Sequence, residues 1–275
     1  MKASEYLKDF EERMRCAFSS EDTIKNYLTS VNSFFKFVSG RTESDPALLL
    51  RKYITIKLQG YEAKTVNLHR SAIVKFFKLC KGIEIGTDEV PRRKEPKKLP
   101  KIIAIEDIQR AISKTLNVKH RLILSIFFGC GLRLKEMQLL RCRNVIKKVL
   151  WIEDTKGQKH RIIPIPGSIL DLLNSYISEI KPDDFIFGDL CKRTFEKIVS
   201  NAFSRIGVKA SPHMLRHSFA TYEIASGQNP FKVQSWLGHG SIKTTQVYIH
   251  LSQAMLSEST DLLQVKEDCT NQMGV

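Results

Sequence analysis

Long apolar runs are missing from this sequence. Its longest uncharged apolar stretch, LILSIFFGCGL at residues 122–132, has eleven residues, too few to span a bilayer, and reads as a buried helix. The N-terminal residues MKASEYLKDFEERM are charged and carry no apolar segment of the signal-peptide kind. Both absences predict a cytoplasmic protein with no membrane partner. The six cysteines (16, 80, 130, 142, 191 and 269) include no CxxC pair, which fits reduced thiols and argues against a zinc module. Acidic residues are scarce: 29 Asp and Glu stand against 44 Lys and Arg, a formal charge of +15. That excess favours a polyanionic partner, most simply nucleic acid, over an anionic lipid surface or a merely basic surface.

What is present suffices for one large domain or two smaller ones, with 42% hydrophobic residues over 275 positions. Residues 1–85 read as a helical domain. In TIKNYLTSVNSFFKFV, Ile24, Tyr27, Leu28, Val31, Phe34 and Phe35 recur at spacings of three and four; TVNLHRSAIVKFFKL repeats the pattern with Val66, Ile73, Phe76 and Phe77. Lys25, Lys64, His69, Arg70 and Lys75 fall on the polar sides, where a solvated face is the plain reading of each and a phosphate contact the functional one. Residues 86–101, GTDEVPRRKEPKKLPK, hold three prolines and read as a stiff basic linker, with Arg92, Arg93, Lys97 and Lys98 suited to lie along phosphates.

A second, mostly helical domain spans 102–275. IEDIQRAISKTL and HRLILSIFFGCGL predict buried helices. VLWIEDTKGQKHRIIPIP predicts a β-hairpin in which Val149, Trp151, Ile162 and Pro164 flank a polar tip. Further helices are predicted over 168–180, 191–206, 212–226, 230–237 and 241–251.

Four segments of this domain carry chemistry-bearing residues. In GCGLRLKEMQLL, Arg133 ends a buried run and needs an anionic partner; Glu136, three residues on, can supply it locally. At the hairpin tip, Lys156 sits beside Gly157 and on its own is an ordinary turn lysine. In SPHMLRHSFATY, Ser211 and Pro212 suit a helix start, and His213 and Arg216 share one face. An arginine fork there matches two phosphate oxygens. His213 and His217 have a spacing used by zinc proteases, but HMLRH lacks the glutamate of HExxH and sets Arg216 between them, so no metal is expected. In LGHGSIKTTQVYIH, His239 lies between glycines and Tyr248 follows nine residues later. There is no glycine-rich nucleotide loop and no Ser–His–acid order. A tyrosine among cations and donors describes phosphoryl transfer without metal or cofactor.

The ordered set GLRxxE, KGxKxR, HxLRHSFAT, LGH and TTxxY resembles the tyrosine recombinases, or phage-type integrases, and is most similar to their Xer branch. The resemblance implies a mainly α, two-domain clamp with a small β-sheet in the catalytic domain and an N-terminal helical, SAM-like core-binding domain. It implies that Arg133, Lys156, His213, Arg216 and His239 serve the scissile phosphate, with Glu136 in support and Lys156 protonating the departing 5′ oxygen. Tyr248 would form a 3′-phosphotyrosyl link. The partners implied are a double-stranded recombination site and further copies of the chain, a tetramer on two duplexes, with room for an accessory protein. Residues 252–275, with Met255, Leu256, Leu262 and Leu263 on one side, read as a tail that docks on a neighbouring protomer or packs on its own. The expected role is Xer-type dimer resolution, the competing ones integration of a mobile element and type IB-like topoisomerase activity.

Overall fold

The structure is a computed structural model, and it describes residues 3–17, 20–96, 99–153, 160–238, 245–249 and 251–253. The chain divides into two compact units, Met1–Lys98 and Leu99–Val275.

The first unit is helical: α1 (Ala3–Ala17), α2 (Glu21–Val38), α3 (Pro46–Lys52) and α4 (Ala63–Phe76). Both α3 and α4 run on into a π-helical turn, Tyr53–Lys57 and Phe77–Lys81. Asp45 starts α3 by accepting the amides of Ala47 and Leu48, with Pro46 in the first turn where no donor is needed. The core is aromatic. Phe76 meets Phe10 and Phe35 edge-on at 5.5 and 5.1 Å, and Phe34 meets Tyr53 the same way at 5.4 Å.

The polar-face expectation for this unit needs correction at two residues, Arg70 and His69. Arg70 does not lie on a polar face. It is buried, its Nε donates to the Val90 carbonyl at 2.5 Å, and its Nη2 reaches the Gly86 carbonyl at 3.5 Å. The segment from residue 86, read as a stiff basic linker, is anchored as far as Arg93. Ile85 and Val90 are buried in the helical core, so the chain must fold back over α4. Its peptide groups then lose water and take side-chain partners instead. Asn67 Oδ1 accepts the Arg93 amide and its Nδ2 donates to the Arg93 carbonyl, both at 2.9 Å. His69 also turns inward, its Nδ1 lying 2.8 Å from the buried Tyr53 hydroxyl. Lys25, Lys64 and Arg92 are exposed and Arg93 partly so; Lys97 and Lys98 lie outside the described residues.

The second unit holds α5 (Ile105–Ser113), α6 (Val118–Gly129), the short α7 (Leu134–Gln138), strands β1 (Val145–Ile146), β2 (Val149–Ile152) and β3 (Arg161–Pro164), then α8 (Gly167–Ile177), α9 (Lys192–Ser204), α10 (Pro212–Ala225) and α11 (Pro230–Leu237). Residues 245–249 and 251–253 are helical as well. Helix α6 is buried through Leu122, Ile123, Leu124, Ile126 and Phe127, and α8, α9 and α10 pack around it. The expected hairpin is β2–β3, extended by the two-residue β1 into an antiparallel sheet of order β1-β2-β3. Leu150 pairs with Ile163 on its buried face, and Trp151 with Ile162 on the other. Among the described residues no helix is long and apolar enough to cross a membrane.

Candidate active site

The site is assembled from α7, β3, α10, the end of α11 and the helical residues around Tyr248. Arg133 stands just before α7 with extended backbone (φ −73°, ψ 151°). Its amide donates to Glu136 Oε2 at 2.7 Å and its Nη1 to Glu136 Oε1 at 2.8 Å. The local Arg–Glu pair therefore forms, but Glu136 does more than serve Arg133. Its Oε2 also accepts Nη2 of Arg161 at 2.6 Å and lies 3.9 Å from Nη1 of Arg216. Burial pushes the Glu136 carboxyl up. The hydrogen bond and charge of Arg161, the Arg133 amide and the Arg216 charge outweigh it and hold the pKa below the ordinary value. A single carboxylate thus anchors arginines from three elements.

Those arginines share a second anchor. Helix α11 ends at Gly238 in the left-handed conformation (φ +61°). Its last carbonyls carry the negative end of the helix and lack helical partners. Nε of Arg161 donates to the Trp236 carbonyl at 2.7 Å, Nη2 of Arg216 to Leu237 at 2.5 Å, and Nη2 of Arg133 to Gly238 at 2.8 Å. Three guanidiniums therefore hold three successive carbonyls.

Arg216 is buried on α10, one turn beyond Pro212; Ser211 caps that helix by accepting the Met214 amide at 3.3 Å. Nη1 of Arg216 also donates to the Gly131 carbonyl at 2.6 Å. Burial, followed by the repulsion of Arg133, lowers its pKa to about 9, so the group stays cationic at neutral pH. His213 sits three residues before Arg216 and is exposed.

Tyr248 is 3% exposed and packs in a small apolar cluster with Phe219, Ala220, Val233 and Leu237. Its hydroxyl lies 2.8 Å from Nδ1 of His217, with the two rings 5.8 Å apart. Burial raises the phenol pKa, while the charges of Arg216 and Arg133 pull it the other way. Arg133, Glu136, Arg216 and Tyr248 are thus brought within one electrostatic neighbourhood. Lys156 and His239 lie outside the described residues, as does the tail from residue 254.

Two residues of this neighbourhood carry no role in the sequence reading. Arg161 is the last letter of KGxKxR and sits in a strand; a buried guanidinium in that position requires an acid or carbonyls around it. His217 follows Arg216 directly and is weighed there only as half of a metal pair.

Residues 95–255 match the phage integrase family, and residues 7–81 its N-terminal SAM-like domain. Among curated relatives, tyrosine recombinase XerA of Saccharolobus solfataricus is 30% identical over 86% of this chain and 84% of its own length. XerA of Pyrococcus horikoshii is 28% identical over 96% of this chain and 95% of its own. Among solved structures, the XerH site-specific recombinase bound to difH substrate before cleavage superposes with a TM-score of 0.72 at 21% identity, over 94% of this chain and 84% of that one.

Proposed function

The chain belongs to the phage integrase family as a tyrosine recombinase, and from that premise we propose that it is a site-specific DNA recombinase of the Xer type, with chromosome or plasmid dimer resolution as its role. The observation that carries the reading is geometric: Arg133 and Arg216 are fixed at Glu136 and the last carbonyls of α11, and the buried Tyr248 hydroxyl lies 2.8 Å from His217, the residue next to Arg216.

Tyr248 attacks the scissile phosphate and forms a 3′-phosphotyrosyl bond, and the 5′ oxygen leaves. Charge builds on the phosphate oxygens as it becomes pentacoordinate. Arg133 and Arg216 balance it; each is held by Glu136 and by backbone carbonyls and so costs no reorganisation at the moment of reaction. His213, exposed on the same face of α10, donates a further hydrogen bond to the phosphate. Lys156 protonates the leaving oxygen and His239 completes the grip. The phosphotyrosyl bond conserves the energy of the cleaved strand, so a 5′-hydroxyl of a second duplex reseals it without metal or nucleotide.

The working assembly we propose is a tetramer of this chain on two duplexes in the cytoplasm, with an accessory protein as an optional partner. Lambda integrase, a structural neighbour with a TM-score of 0.67 at 16% identity, has been solved as a tetramer on a Holliday junction. That likeness supports the fold, and the tetramer is an inference from it.

The test is covalent trapping. The protein is mixed with fragmented genomic DNA of its source organism in EDTA and quenched in SDS, with Tyr248→Phe beside it. An SDS-stable adduct from the wild type alone is expected. An adduct that persists in Tyr248→Phe moves the nucleophile elsewhere. Relaxation of supercoiled DNA without strand exchange would favour a topoisomerase.

A further inference from the structure

We infer that His217 is a further catalytic residue, the group that orients the Tyr248 hydroxyl and accepts its proton during attack. The inference rests on the reading of Tyr248 as nucleophile. It starts from the 2.8 Å contact between Nδ1 of His217 and the hydroxyl. A phenol has an ordinary pKa near ~10 and must shed its proton as it bonds to phosphorus. Tyr248 is shut away from bulk solvent in its apolar cluster, so that proton passes to a side chain rather than to water.

His217 is suited to take it. Burial first, then the charges of His213 and Arg216, lower its pKa, so the ring is neutral at neutral pH. With the ring proton on Nε2, Nδ1 carries the lone pair and the tyrosine is the donor. Among the described residues, the titratable and charged groups that act on the ring are His213 and Arg216 on α10 and Tyr248 itself.

The two histidines of HMLRH then divide the work by depth. His213 is exposed, where DNA can reach it. His217, one turn further along α10, is half-buried beneath it against the tyrosine, the ring centroids of the two histidines 6.4 Å apart. The step balances. The Tyr248 O–H bond breaks and its proton moves to Nδ1; the new O–P bond forms from the freed oxygen pair; the bond from phosphorus to the 5′ oxygen breaks, and that oxygen takes a proton from Lys156. In the resealing step a 5′-hydroxyl attacks and gives its proton back to the Lys156 amine, the O–P bond to Tyr248 breaks, and the departing tyrosine recovers its proton from the imidazolium.

The test uses the full chain with the fragmented genomic DNA of the trapping assay. Adduct formation is timed for wild type, His217→Ala and His217→Asn, with DNA binding followed by gel shift. His217→Ala should bind DNA as the wild type does but form adduct about 100-fold more slowly, the usual worth of a positioned base. Added imidazole should restore part of that rate in His217→Ala and none in His217→Asn. The asparagine amide oxygen can accept the tyrosine hydrogen bond at the Nδ1 position but cannot keep the proton. A wild-type rate in either variant overturns the inference while leaving Tyr248 as nucleophile. No adduct from the wild type overturns the reading of Tyr248, and this inference with it.

Discussion

Nη2 of Arg161 lies 2.6 Å from Oε2 of Glu136, and the two side chains are only 9% and 13% exposed. Because Arg161 also holds the Trp236 carbonyl, this one pair ties the hairpin strand β3 to α7 and to the end of α11. The residues proposed to serve the phosphate lie on either side of it: Arg133 at the start of α7, and Arg216 on the same carboxylate and the next carbonyl. Arg161 is therefore a positioning residue for the two arginines that meet the charge.

Arg161→Met should be costly to the fold. It leaves Glu136 a buried carboxylate without its shortest partner and takes the Arg161 donor from the Trp236 carbonyl. Removing one member of a buried pair costs about 3–5 kcal/mol, which urea denaturation would measure. A double-mutant cycle with Glu136→Gln should show coupling of at least about 1 kcal/mol. Independent, additive losses would mean that the pair does not act as a unit.

The same carboxylate makes stability depend on pH. Its folded pKa is depressed below an unfolded value of about 4.3. A depressed carboxylate contributes stability that is fully present above the unfolded pKa and is lost as pH falls through the folded one. Glu136→Gln has no such group. The stability gap between wild type and Glu136→Gln should be flat above the carboxylate range and shrink as pH drops below about 4. Urea melts at stepped pH would show it; a gap that widens on acidification would contradict the sign.

Gly131 sits where only glycine fits. Its φ is +59°, and a Cβ placed there would stand 2.3 Å from Cδ1 of Phe219, which packs with Tyr248. The conformation costs a substituted residue about 1–2 kcal/mol and overpacking adds about 1–3 kcal/mol. The Gly131 carbonyl also accepts Arg216, so the displacement passes directly to the proposed phosphate grip. Gly131→Ala should melt lower and cleave more slowly while still binding DNA. A melting temperature equal to wild type would show that the loop accommodates the methyl group.

Local chemistry made much of this legible. Helix α10 begins where Ser211 and Pro212 announce it, because a cap and a first-turn proline act over a few residues. The pairing of Arg133 with Glu136 is equally local. The contacts that were not legible join residues far apart in sequence. Arg161 meets Glu136 across 25 residues, His217 meets Tyr248 across 31, and Arg70 is buried by a segment that returns 20 residues later. Periodicity places a side chain on a helical face, but it does not say what returns to cover that face. For Arg70 the covering segment turned an expected solvated cation into a strut.

That distinction separates the basic residues of the first unit by experiment. Binding to B-DNA weakens linearly in log–log terms with salt, with a slope of about −0.9 per neutralised phosphate. Lys25, Lys64 and Arg92 are exposed and proposed to meet phosphates, so each alanine substitution should make the slope shallower by about 0.9 and leave the melting temperature nearly unchanged. Arg70→Ala should do the reverse. It removes the donor that satisfies the buried Val90 carbonyl, a loss of about 1–3 kcal/mol, without removing a surface charge. Gel-shift titrations across a salt series, paired with thermal melts, read both quantities. A shallower slope for Arg70→Ala with an unchanged melt would return that residue to the DNA surface; unchanged slopes for all three exposed residues would place the duplex elsewhere on the molecule.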